Sequence, residues 1–132
     1  MTQGSHRYDL RVYYEDTDMA GIVYYANYLK FIERARSEWV EGLGIDQGRL
    51  RNEHGVVFVV RRVEADYLAP ARYGDHLTVT TRVADDTGVR LTLDQQVACG
   101  DRVLFRALVT IVILGETGMP TRLPDSLRDL ML

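Results

Sequence analysis

A chain of 132 residues with 46% apolar and 27% charged side chains can bury a core without disulfides or a structural metal, and its composition is that of a soluble globular protein. A net charge of −3 gives no reason to expect nucleic acid as a partner. The lone cysteine, Cys99, cannot close an intrachain bridge, which fits the reducing cytoplasm better than secretion. No apolar run approaches the ~20 residues that span a bilayer, and the N-terminal stretch lacks the apolar centre of a signal peptide.

The segment His6–Tyr14 alternates Leu10, Val12 and Tyr14 against Asp9, Arg11 and Tyr13, which predicts a strand. From Tyr25 the period changes. Tyr28, Leu29, Ile32, Ala35, Trp39 and Leu43 recur at helical spacing, while Lys30, Glu33, Arg34, Ser37, Glu38 and Glu41 take the other faces. That predicts a helix of about 18 residues, roughly 27 Å long, ended by Gly42 and Gly44. A loop or short helix follows around Ile45–Glu53.

The remainder reads as antiparallel sheet. Val57–Leu68 is a long strand broken at Pro70; His76–Val83 and Val89–Cys99 are separated by the turn signal Asp85-Asp86-Thr87-Gly88. Gly100-Asp101 is a hairpin signal leading into Arg102–Leu114. That last strand is apolar on both faces, so it is expected to lie centrally, with the helix on one side and another subunit on the other. The turn-rich tail ends in a short amphipathic helix near Ser126–Met131. Without repeats, low-complexity tracts or linkers, the chain is expected to form one domain over residues 1–132. The plan is α+β: a five-stranded antiparallel sheet wrapped around one long central helix.

The stretch Asp16-Thr17-Asp18-Met19-Ala20-Gly21 poses the chemical question. It opens like an EF-hand loop, but its fifth position is Ala20, its twelfth is Asn27, and a strand precedes it. A helix cap is the plainer alternative, and Asp16 or Asn27 suits it. Asp18, seven residues before Tyr25, is too far to cap a helix starting there, and Gly21-Ile22-Val23 makes an earlier start poor. Asp18 is left as a carboxylate in a strand-to-helix loop, where chemistry tends to be placed. The helix beginning near Tyr25 or Ala26 offers unpaired N–H groups that could hold an oxyanion.

The run "YYEDTDMAGIVYYANYLKFIERAR", with "FVVRRVEADYLAPARYGDHLTV" behind it, resembles the hot-dog-fold acyl-CoA thioesterases of the 4-hydroxybenzoyl-CoA thioesterase type, above all the bacterial branch associated with the Tol-Pal system. The resemblance spans nearly the whole chain and weakens after Met119. It implies the hot-dog fold, active sites at a dimer interface and dimers paired into tetramers, an acyl-CoA substrate, and a metal- and cofactor-free hydrolysis to free acid and coenzyme A. An acyl carrier protein is a further candidate partner. Carried over by position, the catalytic aspartate falls on Asp18 and the oxyanion-binding N–H on Tyr25. Many Tol-Pal-associated members have His where this chain has Tyr25, so a backbone role transfers and an imidazole role does not.

On that expectation Asp18 attacks the thioester directly or activates water. Gly21, Tyr24 and Tyr28 are candidate substrate contacts, although the two tyrosines suit packing at least as well. Arg61, Arg62 and Arg90 could meet coenzyme A phosphates, Arg90 first, because it follows a hairpin that lies near the nucleotide in the resembling enzymes. His6, His54 and His76 lack metal-ligand spacing. No G-x-S-x-G elbow is present, and Cys99 lies inside a strand pattern. Glu33, on the charged helix face, suits a solvated or interface role. Two competitors remain: a scaffold that binds acyl groups without turning them over, and a hydratase, for which no His stands at the helix-entering motif.

Overall fold

The structure, a computed structural model, describes residues 5–132; the first four positions of the expected domain and of the expected leader-free terminus lie outside the described residues. Strand β1 (His6–Arg11) is followed by a 3-10 turn (Tyr14–Asp16), helix α1 (Asn27–Gly42) and helix α2 (Gln47–His54). Strands β2 (Val57–Tyr67), β3 (His76–Asp86), β4 (Arg90–Cys99) and β5 (Arg102–Leu114) come next, and helix α3 (Asp125–Met131) closes the chain. The five strands form one antiparallel sheet in the order β1-β3-β4-β5-β2. Among the described residues no helix is long and apolar enough to cross a membrane.

Helix α1 forms because its apolar side chains make one stripe. Tyr28, Phe31, Ile32, Ala35, Trp39 and Val40 are buried, and the polar positions between them are exposed or half-buried. It starts two residues later than the spacing from Tyr25 predicts and stops where Gly44 adopts φ +85°, a left-handed conformation that glycine takes without strain. The stripe lies on the inward face of the sheet, where Leu77, Val79, Leu93, Val97, Phe105 and Val109 are almost fully buried. Helix α2 is capped by Asp46, whose carboxylate accepts the Arg49 N–H at 3.0 Å.

A polar clasp fixes the helix on this apolar bed. Gln95 is inaccessible, and its amide nitrogen donates to the Ile32 carbonyl (3.0 Å) and to Thr81 Oγ1 (2.9 Å). Its oxygen accepts from Arg36 at 3.0 Å. Burial pushes the Arg36 guanidinium below its usual range, against the opposing pull of Glu33. Together these bonds give α1 a single axial position, which decides where its N-terminus lies.

Strand β5 corrects one expectation: it lies second from the edge, and β4 is the middle strand. Its inward residues Phe105, Val109 and Ile111 are buried, Phe105 against the Tyr28 ring of α1, while Leu108 on the other face is 41% exposed. Strand β2 is the edge beyond it, and a bulge between Val60 and Arg62 interrupts the pairing. Val60 faces Ile111 and Val63 faces Val109, both on the inward side, so the bulge at Arg61 shifts the inward set by one residue and places Tyr67 opposite Phe105.

Helix α3 is latched to the end of the sheet. Arg128 donates to Asp86 Oδ2 from Nε (2.7 Å) and Nη2 (2.6 Å), and the Gly88 N–H donates to Oδ1 at 2.8 Å. Burial alone raises the Asp86 pKa, but the Gly88 N–H and Arg128 outweigh it and hold the carboxyl below its ordinary 3.8. A group depressed in the folded state contributes stability above its unfolded pKa and loses it as pH falls through the folded value. The Tm difference between wild type and Asp86→Asn is therefore expected to hold steady from neutral pH to about 5 and to shrink below about 4. An equal difference at pH 3 and pH 7 in thermal melts would refute the latch as an ionic contact.

Candidate active site

The motif Asp16–Gly21 folds as the arm and tip of a small hairpin. Thr17 bridges Val23, the Asp18 N–H donates to the Ile22 carbonyl (2.9 Å), and the Gly21 N–H donates to the Asp18 carbonyl (3.0 Å). Gly21 holds φ +77° with open space around its missing side chain, so it serves the turn by conformation. At its far edge Ile22 bridges Arg72.

The two carboxylates of the motif have opposite surroundings. Asp16 is buried; Oδ2 accepts the Tyr13 N–H at 2.8 Å and Oδ1 accepts from the Asn27 amide at 2.7 Å, while its carbonyl accepts the Tyr24 N–H at 3.0 Å. It ties the end of β1 to the first turn of α1. Asn27 is thus a partner of Asp16 inside the helix, and Ala26 holds the N-cap position without a side-chain bond; the expectation that Asn27 caps the helix does not hold. Asp18 is exposed. Its Oδ1 accepts the Ala20 N–H at 2.9 Å, a local turn bond that the sequence did not suggest. Oδ2 accepts nothing among the described residues. No group of three or more His, Cys, Asp or Glu among the described residues is arranged to hold a metal ion.

Tyr25 lies on the turn just before α1. Among the described residues no oxygen accepts its N–H, which lies one residue ahead of the Ala26 N-cap and so beside the electropositive end of α1. Its ring is 62% exposed and lies 4.9 Å from the Tyr24 ring and 6.1 Å from the Tyr67 ring. Contact with the Tyr25 phenol raises the Tyr24 pKa above its usual range. Tyr28 is 3% exposed, stacks on Phe105 at 5.0 Å, and accepts the Ala71 N–H on its hydroxyl at 3.0 Å, so packing is its observed role. Burial raises its pKa.

The remaining sequence-selected residues stand elsewhere. Arg61, Arg62 and Arg90 are exposed. Arg62 is paired with Glu64 at 3.1 Å, whereas Arg61 and Arg90 take part in no ion pair among the described residues. Glu33 accepts from Ser37 at 2.6 Å on the rim of an apolar cleft of about 180 Å³ between α1 and the sheet, floored by Val40, Phe58, Leu93 and Ile111. This cleft lies toward the C-terminal half of α1, away from Asp18, and sequence reasoning missed it because its walls come from six separate elements. Tyr67 and Gln95 were also missed. Gln95 had a signal, a polar residue in the inward register of Leu91, Leu93 and Val97.

Residues 12–130 match the family model described as the thioesterase-like superfamily. The acyl-CoA thioester hydrolase YbgC of Escherichia coli O6:H1 is 39% identical over 123 residues, covering 92% of this chain and 91% of that protein. The acyl-CoA thioesterase YbgC of Haemophilus influenzae is 37% identical over 111 residues, covering 84% and 82%. The crystal structure of a probable thioesterase from Bartonella henselae superposes with a TM-score of 0.85 at 37% identity, covering 92% of this chain and all of the other.

Proposed function

The chain belongs to the thioesterase-like superfamily, has its hot-dog fold and is a thioester hydrolase, and from that premise we propose that it cleaves an acyl-CoA thioester to a free carboxylic acid and coenzyme A. Asp18 is the nucleophile or general base, and the Tyr25 N–H is the oxyanion donor. What supports this reading is that Asp18 Oδ2 and the Tyr25 N–H both lack a hydrogen-bond partner among the described residues and flank one short segment, residues 18–25. The Asp16 carbonyl accepts the Tyr24 N–H at 3.0 Å, so the two arms that carry Asp18 and Tyr25 are joined directly at the base of the hairpin.

The chemistry needs little else. Attack by Asp18 on the thioester carbon puts negative charge on the carbonyl oxygen, which the Tyr25 N–H stabilises; collapse breaks the C–S bond and expels the thiolate. Water then opens the mixed anhydride, regenerating the carboxylate. In the general-base variant Asp18 takes the proton of the attacking water and passes it to the leaving sulfur. Gly21 and Tyr24 border the reacting group, Tyr28 supports it from the core, and Arg61, Arg62 and Arg90 serve the coenzyme A phosphates. Arg90 and Arg61 suit that role better than Arg62, which is already paired.

The active unit is proposed to be one hot-dog domain in a cytoplasmic homo-oligomer, a dimer of dimers, linked physiologically to the Tol-Pal system, with an acyl carrier protein as an alternative carrier of the acyl group. Oligomerisation is supported by β2, an 11-residue edge strand carrying the part-exposed Val59, Val60 and Val63, the kind of edge that soluble proteins cover. The test is free-thiol release from a panel of aliphatic and aromatic acyl-CoAs. Turnover of at least one member is expected. Saturable binding across the panel without thiol release would overturn hydrolysis in favour of an acyl-binding scaffold.

A further inference from the structure

We infer that Tyr67 is a positioning residue for this reaction, holding the Tyr25 peptide in register through its side chain; the inference rests on the proposed roles of Asp18 and Tyr25. A donor left free for a substrate oxygen has no hydrogen bond of its own to fix its direction. The ring attached to the same residue can do so, if something rigid holds the ring. Tyr67 meets the Tyr25 ring edge-on at 6.1 Å and 80°. On its other side it meets Tyr28 at 5.7 Å and Phe105 at 5.0 Å.

Those two are among the most deeply buried aromatic groups of the fold. Phe105 is inaccessible, Tyr28 is 3% exposed, and Tyr28 is anchored by the Ala71 N–H. Tyr67 is 48% exposed, so it spans the boundary between the core and the site. Burial of its inner part, followed by the nearby Tyr25 phenol, raises its pKa, and the phenol stays neutral at working pH. The inward position of Tyr67 depends on the bulge at Arg61. Edge-to-face rings of this kind attract one another beyond the area they bury, so Tyr67 favours one placement of the Tyr25 ring, and misplacing a transition-state donor is costly even at the scale of one ångström.

The experiment compares Tyr67→Ala, Tyr67→Leu and Tyr67→Phe in the intact protein, with acyl-CoA turnover and far-UV circular dichroism as readouts. Tyr67→Ala and Tyr67→Leu are expected to lower kcat ~10-fold or more with KM changed by less than about twofold, and Tyr67→Phe to restore most of kcat because the ring suffices. Tyr67→Leu keeps much of the bulk, so it gives the reading if the alanine variant does not fold. Unchanged kcat in a folded Leu or Ala variant, a loss confined to KM, or a Phe variant as impaired as Ala would overturn the inference. Asp18→Asn assayed in parallel separates the two claims. If it is inactive while Tyr67→Leu turns over normally, only the positioning role falls; if Asp18→Asn is fully active, the underlying site falls.

Discussion

Asp18→Asn is expected to lower kcat for acyl-CoA hydrolysis by ~10²–10⁴-fold, the range lost when an acid–base or nucleophilic group is removed, with little change in thermal midpoint. The substitution is informative because of the Ala20 bond. An asparagine oxygen can still accept the Ala20 N–H that Asp18 Oδ1 now holds at 2.9 Å, and Gly21 keeps its φ of +77°. The hairpin is therefore retained while the charge and the nucleophilic oxygen are lost. Asp18→Ala removes both and would confuse turn stability with chemistry. Steady-state thiol release, with melts by circular dichroism, separates the two; a fully active Asp18→Asn would show that the exposed carboxylate only shapes its turn.

The neighbouring carboxylate gives the opposite expectation. Asp16→Ala should destabilise the fold by about 2–4 kcal/mol, because it removes two charge-assisted hydrogen bonds and leaves the buried Asn27 amide and the part-buried Tyr13 N–H without acceptors. For a chain of this size that is a fall in Tm of roughly 10 °C. Activity should fall with it, since Asp16 joins β1 to the start of α1 and so sets where the Tyr25 N–H lies. Asp16→Asn, which keeps one acceptor, should cost less. Denaturant melts of both variants make the check. A neutral Asp16→Ala would mean that the hairpin is held by its backbone bonds alone.

Element types were legible in the sequence where the periodicity was strong. The helical stripe of α1, the Gly100-Asp101 hairpin and β5 emerge close to where the pattern puts them, since each is decided by local spacing or turn chemistry. The position of β5 was not legible: apolar character on both faces specifies an interior strand but does not distinguish the middle from the next place out. Tyr67 was hidden for a different reason. Simple alternation from Phe58 and Val60 puts Arg62, Glu64 and Asp66 inward, and only the bulge at Arg61 exchanges the faces. A single-residue irregularity of that kind leaves little trace in composition. Asp16 and Asp18 are chemically identical in the sequence, and what separates them is burial, which depends on Asn27 eleven residues on.

The most direct measurement is a crystal structure with a non-hydrolysable acyl-CoA thioester analogue. The account predicts the analogue's carbonyl oxygen ~2.7–3.1 Å from the Tyr25 nitrogen and its carbon ~3–3.5 Å from an Asp18 oxygen, or one water further away. A carbonyl seated in the α1 cleft beside Glu33, out of reach of both Asp18 and Tyr25, would contradict it.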